Sequence, residues 1–321
     1  MMSSPAALGL DFGGTKIAVA ACDLAGNRLG LTTVDSSADA GAQAAFERGI
    51  AAARALLGSL EPHWRLAGVG AATFGIPYDD RVELAPTIPG WEALPFGRTL
   101  RAAFPGVPVA LATDVKAAAQ AELRWGALVD CDPGLYLNLG TGLAAAIVAG
   151  GEVIVGANRA SGEIGYNLRS VDDVGVRVAE RAMLEDIVSG KAFSAAAAAH
   201  FGRPASPVEL FESAATDAGA ADIVDTFVRE LAMHVVNLAV AIDPARIAVG
   251  GGMVRSWSHI GPGLQRALVA AMPFAPELVP AQFPFDAPLI GALALGVEAA
   301  SREVSAGERA SSEPLDEEAL A

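Results

Sequence analysis

The sequence DFGGTK, which begins at Asp11, contains residue types that bind phosphate. Gly13 and Gly14 expose backbone N–H groups without a Cβ to obstruct close approach, and such groups can hold phosphate oxygens. Thr15 adds a hydroxyl donor and Lys16 a cation, while Asp11 could hold Mg²⁺ through water. An ordinary hairpin turn is the alternative interpretation. Lys16 favours phosphate binding, because the chain has 19 Arg and only 3 Lys.

Two later glycine turns extend this chemistry. They consist of Gly140, Thr141 and Gly142, and of Gly250, Gly251 and Gly252. The first of them repeats the Gly and Thr chemistry, so two facing turns could grip one polyphosphate from both sides. The three-glycine run ends a predicted strand and would let a flat group such as adenine with its ribose approach the backbone. A simple strand-to-helix turn is the alternative for this run.

Short strands are predicted on both sides of the first turn, followed by a third strand, a helix and a fourth strand. In order, these elements are Leu8–Phe12, Ile17–Cys22, Arg28–Val34, Asp39–Leu57 and Leu66–Thr73. Strand, helix, strand order predicts an α/β layer. A loop rich in Pro and Gly follows at Phe74–Pro95, in which Trp91 is expected to be exposed, and such loops often bind ligands. Strand Val107–Ala112 then leads into a helix near Val115–Trp125.

The opening arrangement is repeated in the second half of the chain, which indicates a duplicated domain. The repeat consists of strands Leu135–Leu139, Leu143–Ala149 and Glu152–Val155. Mostly helical sequence follows at 172–242, then strand Arg246–Val249 and helix Gly261–Met272. The predicted domains are 1–115, completed by a helix at 289–301, and 116–288. Residues 302–321 have no periodicity and are predicted to form an acidic, solvated tail.

The composition excludes several classes of protein. The chain has 321 residues, enough for about two domains of ~150 residues, and 52% of them are hydrophobic. Its net charge of −15 argues against partners such as nucleic acid or an anionic membrane. The two cysteines, Cys22 and Cys131, lack metal-ligand spacing, which favours a reducing cytoplasm. No secretory signal or membrane span is predicted from the sequence.

Several motifs in this order resemble the ROK sugar kinases, a group within the kinases and ATPases with an actin-like fold. The resemblance covers roughly Leu8 to Ala300. It rests on DFGGTK from Asp11, Thr113-Asp114 before an Ala-rich helix, the turn Gly140 to Gly142, the stretch from Gly156 to Gly165 that includes Gly162-Glu163-Ile164-Gly165, and the run Gly250 to Gly252.

The resemblance implies an α/β fold class with two actin-like (ribonuclease H-like) domains around a central cleft. It also implies ATP with Mg²⁺ as cofactors and phosphoryl transfer to a sugar-type hydroxyl. Asp114 matches the family's general base, and such transfer needs a carboxylate that accepts the hydroxyl proton. Asp114 could instead cap the following helix. Glu163 matches an acid that accepts hydrogen bonds from sugar hydroxyls, or it is an unremarkable surface glutamate.

Three substitutions depart from the family pattern at the substrate pocket. Thr113 replaces an Asn before the base, Thr87 replaces an Asn in the loop ahead of Trp91, and Tyr166 replaces a His. These side chains differ in their hydrogen-bond donors and acceptors, so the acceptor is expected to differ from a plain hexose. The residues assigned to substrate by the resemblance are Thr87, Trp91, Thr113, Asp114, Glu163 and Tyr166.

The same His is usually a zinc ligand in the family and is followed by a loop with three cysteines. Residues 167–175 contain no Cys, and two cysteines in the whole chain cannot supply three thiolates. No zinc is therefore expected. Leu184-Glu185 and Ser189-Gly190-Lys191 still resemble the family's residues downstream of that loop, so packing must hold the Glu163 segment without a metal.

The leading hypothesis is an ATP-dependent kinase that acts on a sugar or sugar-like polyol, with an amino sugar, an acylated hexosamine or a carbocyclic polyol as favoured acceptors. A glucose-type hexokinase is the alternative within this class. A non-enzymatic sugar sensor and an actin-like ATPase are the alternatives outside it. The expected partner is a small-molecule substrate, and the resemblance also implies a homo-oligomer, either a dimer or a tetramer.

Overall fold

The protein is described by a computed structural model that covers the backbone of residues 3–312 and the side chains of residues 3–303. The chain divides into two compact units, one formed by residues up to Ala117 together with those from Pro288 onward, and the other by Ala118–Ala287. The strands and α-helices of the described residues are β1 (Ser4–Phe12), β2 (Lys16–Asp23), β3 (Arg28–Asp35), α1 (Ala42–Ser59), β4 (Trp64–Thr73), β5 (Ile76–Pro77), β6 (Val82–Glu83), α2 (Phe96–Ala103), β7 (Val109–Thr113), α3 (Asp114–Trp125), β8 (Gly134–Leu139), β9 (Leu143–Ala149), β10 (Glu152–Val153), α4 (Gly190–Phe201), α5 (Pro207–Ser213), α6 (Ala218–Ile242), β11 (Arg246–Gly250), α7 (Trp257–Ala271), β12 (Glu277–Pro280) and α8 (Ala287–Ser312).

The first unit is built on a five-stranded sheet of order β3-β2-β1-β4-β7. β1, β2 and β3 are antiparallel neighbours, whereas β4 and β7 run parallel to β1. The pairing sets Phe12 opposite Thr73, and Thr73 opposite Thr113. The carboxyl ends of the three parallel strands therefore lie side by side, which is where ligands bind in open α/β sheets.

Helix α8 packs directly on this sheet because glycines leave room for its backbone. A Cβ added to Gly70 would lie 1.9 Å from the carbonyl oxygen of Ala292, and one on Gly68 would lie 2.1 Å from that of Gly296. Only glycine permits so close an approach. The C-terminal helix therefore belongs to the first unit, although it follows the second unit in sequence.

The second unit repeats the architecture with a sheet of order β10-β9-β8-β11-β12. β8 and β9 are antiparallel, whereas β8, β11 and β12 are parallel neighbours. Its core combines leucines of the sheet with a cluster of aromatic side chains from the helices, namely Phe193, Phe211 and Phe227. The three-stranded opening of each unit is present where the sequence predicts it, because alternating apolar residues around a glycine turn specify a local hairpin.

Several elements differ from the expectations drawn from the sequence, and they include the short strands β5 and β6 within the predicted loop 74–95. Helix α2 and strand β12 are short and were not predicted, and α8 continues to Ser312 where the sequence predicts its end near residue 301. An ion pair at i,i+4 spacing, from Arg302 Nη2 to Glu298 Oε1 at 2.5 Å, lies across the predicted end. Within the tail predicted over 302–321, residues 313–321 lie outside the described residues.

The expected exposure of Trp91 is wrong. Its side chain is fully buried, in contact with Phe12, Phe74 and Phe96. The loop 74–95 folds back so that this aromatic ring joins the core of the first unit. A Trp in a loop rich in Pro and Gly suggests exposure locally, but burial of its large apolar surface is favourable.

Candidate active site

The first glycine turn connects β1 to β2 and is fixed by hydrogen bonds to its carbonyl groups. The N–H of Gly13 donates to the carbonyl of Lys16 at 3.0 Å, and the hydroxyl of Ser36 donates to the carbonyl of Gly14 at 2.8 Å. The N–H of Ser36 donates to the carbonyl of Thr15 at 3.0 Å. Thr15 and Lys16 are exposed. The turn is therefore rigid while its hydroxyl and ammonium groups remain accessible to a ligand.

The loop that contains Thr87 lies against this turn. A Cβ on Gly14 would lie 2.6 Å from Cγ2 of Thr87. The structure thus brings together a predicted phosphate-binding residue and a predicted substrate-binding residue. Only the absence of a side chain at Gly14 allows this contact.

The carboxyl ends of β4 and β7 form the floor beside the turn. The indole Nε1 of Trp91 donates to Oγ1 of Thr73 at 3.0 Å, and Thr73 is itself fully buried. The hydroxyl of Thr73 in turn donates to the carbonyl of Phe74 at 3.0 Å. Trp91 therefore supports the strand ends from within the core, whereas the sequence predicts an exposed contact with substrate.

Asp114 is the first residue of α3 and directly follows β7. Oγ1 of Thr113 accepts a hydrogen bond from the N–H of Lys116 at 3.2 Å, which is the geometry of a helix N-cap. The capping function considered for Asp114 is therefore performed by Thr113. The carboxylate of Asp114 accepts from the N–H of Val115 at 2.8 Å.

Burial raises the pKa of Asp114 above its usual range, whereas hydrogen bonds from the N–H groups of Val115 and of Asp114 itself, and then the charge of Lys116, act to lower it. Lys116 is buried, 4% exposed, two residues further along α3. A carboxylate with a raised pKa is better matched to proton acceptance near neutral pH. The raised pKa agrees with the general base that the family resemblance implies at Asp114.

In the second unit, the turn Gly140 to Gly142 is held by the N-terminus of α4 and by a carboxylate. The N–H of Gly190 donates to the carbonyl of Gly140 at 2.8 Å. Glu185 Oε2 accepts from the N–H of Leu143 at 3.4 Å. A Cβ on Gly251, at φ +89°, would lie 2.4 Å from the carbonyl oxygen of Leu139. The second and third predicted glycine turns are therefore in direct contact.

A cavity of about 540 Å³ opens beside these two turns. The lining includes both turns, the first residues of α4 and α5, and two cations; the residues are Gly140, Thr141, Gly190, Lys191, Ser194, Ser206, Pro207, Val208, Gly252, Met253, Arg255 and Ser256. Its volume lies in the usual range for small-molecule sites. Lys191 and Arg255 were assigned no binding role from sequence, although the scarcity of lysine was a signal for Lys191.

Glu163 and Tyr166 lie on a short segment next to β9. The carbonyl of Gly162 accepts from the N–H of Ala145 at 2.8 Å, so this segment continues the edge of the strand. Burial raises the pKa of Tyr166, and the negative charges of Glu163 and Glu185 raise it further. Glu185, which received no role from sequence, therefore shares the surroundings of two predicted substrate residues.

Comparisons with known proteins place the chain in one family. The model of the ROK family matches residues 7–299. The chain is 30% identical over 270 residues to a kanosamine kinase of Amycolatopsis mediterranei, which covers 82% of this chain and 86% of that protein. The chain belongs to the ROK family.

Solved structures of the ROK family share the fold. A ROK hexokinase from Thermus thermophilus is 30% identical, with a TM-score of 0.77 over 94% of this chain and 100% of that one. A ROK family glucokinase from Streptomyces griseus, solved with glucose and AMPPNP, is 26% identical, with a TM-score of 0.71 over 91% of this chain and 99% of that one. The family resemblance and the two-domain actin-like fold class are both confirmed.

The residues present suit Mg²⁺ but not the zinc of the family. Asp11 is half-buried at the end of β1, and Mg²⁺ in phosphoryl-transfer sites needs only one or two carboxylates besides the phosphates. Over residues 3–303, the side chains of His, Cys, Asp and Glu form no group of three that could hold a metal ion. The family's zinc therefore finds no ligand set at the described residues after Tyr166.

Among residues 3–312, no helix is both long and apolar enough to cross a membrane. Cys22 and Cys131 are free thiols, and both are buried.

Proposed function

We propose that this ROK protein is an ATP-dependent kinase that transfers the γ-phosphoryl group to a hydroxyl of a sugar or sugar-like polyol. The observation that carries the proposal is the position of Asp114, which lies at the carboxyl end of β7 with its pKa raised by burial. The relatives of this protein named above are a kanosamine kinase, a hexokinase and a glucokinase. A sugar phosphotransferase agrees with all three names.

Each unit offers groups that suit a nucleotide. Thr15, Lys16 and the backbone N–H groups of the first turn suit phosphate oxygens, as does the turn Gly140 to Gly142. The cavity beside Gly252 suits a nucleoside, with Lys191 and Arg255 as additional cations. When bound, ATP with Mg²⁺ supplies the transferable phosphoryl group and the charge of the metal. Asp11 would hold the metal through water.

Asp114 then has one task, which is to orient the acceptor hydroxyl and take its proton. Its carboxylate is kept in place by the N–H of Val115 and by the helix that Thr113 caps. Partial burial of the carboxylate raises its pKa and with it its proton affinity. Phosphoryl transfer requires that the protein position the acceptor hydroxyl in line with the phosphoryl group and accept its proton.

The acceptor is proposed to be an amino sugar or a related unusual polyol, because the site differs from the family pattern at Thr87, Thr113 and Tyr166. The carboxylates of Glu163 and Glu185 both act on Tyr166. Two negative charges near Tyr166, a predicted substrate residue, favour an acceptor that carries an ammonium group. The relative named kanosamine kinase agrees with this acceptor class.

The test measures ADP release in a coupled assay with a panel that contains kanosamine, glucosamine, N-acetylglucosamine, glucose and a cyclitol. We expect the highest kcat/KM with an amino sugar. A higher kcat/KM with glucose than with every amino sugar would make the chain a glucose-type hexokinase. Equal ATP hydrolysis with and without all acceptors would favour the ATPase alternative, and acceptor binding without ADP release would favour a sensor.

A further inference from the structure

The stretch after Tyr166 is held by polar contacts, with little help from apolar burial. From Tyr166 through Met183 none of the side chains is buried, and Val171 and Val174 are 86% and 67% exposed. The stretch contains only short 3-10 turns, one of them closed by a capping box between Ser170 and Asp173. Its position must therefore come from specific hydrogen bonds.

Arg181 makes the contacts that reach the substrate segment. Its Nη2 donates to the carbonyl of Tyr166 at 2.6 Å, and its Nη1 donates to the carbonyl of Asn167 at 3.1 Å. These are adjacent carbonyls at the end of the 3-10 turn Ile164–Tyr166. The planar guanidinium fork can hold two neighbouring oxygens at once, which the single ammonium of lysine cannot reproduce.

The stretch is anchored a second time on α6. Arg169 forms a bidentate pair with Glu230, with Nε to Oε2 at 3.0 Å and Nη2 to Oε1 at 2.7 Å. The amide of Asn167 donates to Nδ1 of His234 at 3.3 Å. Glu230 and His234 are four residues apart on α6, so both contacts are made on one face of that helix.

We propose that Arg181 is a positioning residue for the acceptor, which fixes the segment Glu163–Tyr166 through its hydrogen bonds to the carbonyls of Tyr166 and Asn167. This rests on the proposed function, in which Glu163 and Tyr166 contact the acceptor. The positive group that holds these carbonyls is the guanidinium of Arg181, which belongs to the chain itself. Its bonds run to backbone carbonyls, so it holds the segment whatever side chain stands at position 166.

We call the contact of Arg181 with the carbonyls of Tyr166 and Asn167 the Arg181 clamp. Nucleotide binding should be independent of this clamp. The turn Gly140 to Gly142 is held by the N–H of Gly190 at the N-terminus of α4, whereas the guanidinium of Arg181 donates to the carbonyls of Tyr166 and Asn167. Loss of the clamp should therefore affect the acceptor alone. Displacement of a positioning group by about 1 Å commonly costs around 10²-fold, so we expect a rise in the acceptor KM of about tenfold to a hundredfold.

The experiment compares Arg181→Ala and Arg181→Lys with Arg177→Ala, a control four residues away whose exposed side chain pairs with Glu180. The KM for the best acceptor, the KM for ATP and kcat are measured for each. We expect both Arg181 variants to raise the acceptor KM, Arg181→Lys less than Arg181→Ala, with the ATP KM unchanged. Millimolar guanidinium chloride should partly restore the acceptor KM of Arg181→Ala. Arg177→Ala should match the wild type.

Hydrogen exchange provides a measurement that does not depend on activity. The N–H groups of Tyr166 and Asn167 are bonded to Glu163 and Ile164, and their exchange should accelerate in Arg181→Lys while β8 and β9 stay protected. Unchanged exchange, an unchanged acceptor KM, or equal rises in both KM values would overturn the proposal. If the wild type phosphorylates no acceptor, the proposed function fails, but exchange still decides whether the clamp exists.

Discussion

The proposed base, Asp114, and the proposed acceptor segment, Glu163–Tyr166, are positioned by different physical means. Asp114 follows a strand whose register with β4 is fixed by backbone pairing, and the supporting groups Thr73 and Trp91 are fully buried. Glu163 and Tyr166 precede a stretch with no buried side chain, held by Arg181 and by α6. The sheet therefore fixes the proposed base, whereas the proposed acceptor segment is fixed by the buried Ile164 and by side-chain hydrogen bonds from Arg181. Substitutions near the segment Glu163–Tyr166 could therefore change substrate preference without disturbing Asp114.

The largest expected effect is the loss of the base. Asp114→Asn should lower kcat by about 10²- to 10⁴-fold, because the amide cannot accept the hydroxyl proton. The KM for ATP should change little. In the wild type, protonation of Asp114 removes the base, so kcat should fall with decreasing pH, through a pKa above the usual aspartate range.

Steady-state kinetics across pH measure both effects. The exposed Asp80, replaced by Asn, serves as the control and should keep wild-type kinetics. Wild-type turnover in Asp114→Asn would show that another group accepts the proton.

The next effect concerns the rigid first turn. Gly14→Val places a side chain where a Cβ already lies 2.6 Å from Thr87, so the turn or the Thr87 loop must move. We expect the KM for ATP to rise by about tenfold, which corresponds to about 1.4 kcal/mol of binding. Gly58→Val is the matched control, since a Cβ there meets nothing within 4 Å. An equal change in both variants would contradict the role of the turn.

A smaller effect, on stability, is expected from the buried hydrogen bond between Trp91 and Thr73, at the strand ends beside Asp114. Trp91→Phe removes the indole donor to Thr73 and leaves a small cavity. The free energy of unfolding should fall by about 1–3 kcal/mol, measured by urea denaturation. Trp64→Phe, at a half-buried ring in the same unit, should cost less. A larger loss at Trp64 would mean that Trp91 does not support the strand ends.

The smallest effect is expected from His234 on α6, which contacts Asn167 beside the proposed acceptor segment, and it concerns the pH dependence of stability. Burial lowers the pKa of His234, with the charge of Arg169 also lowering it and that of Glu230 opposing. The unfolded chain then binds a proton near pH 6.5 that the folded protein does not, so stability should decline as pH falls below about 6.5. Urea denaturation at several pH values should show a contribution of about 1 kcal/mol or less.

His234→Gln removes this titration and should flatten that part of the pH dependence, whereas His63→Gln, at a residue in the other unit, should leave it intact. If the pH dependence of stability were the same in His234→Gln and the wild type, His234 would not be the titrating group.

Local patterns were sufficient for several elements and insufficient for others. Alternating apolar residues around Gly13 and Gly14 specify a hairpin without help from distant parts of the chain. The short helix α2 and strand β12 gain stability from packing against residues far away in sequence, so no local pattern reveals them. Trp91 was expected to be exposed for the same reason, since its burial depends on contact with Phe12 and Phe96.

Residue type and local order were enough to predict the glycine turns, their duplication and the acid at the start of α3, and they show directly that zinc-type cysteines are absent from residues 167–175. The tertiary structure alone decided that Thr113 caps α3, that Trp91 supports Thr73, and that Arg181 holds the carbonyl of Tyr166. The last two contacts join residues 18 and 15 positions apart, and the direction of a folded loop, which no spacing rule encodes, sets which groups meet.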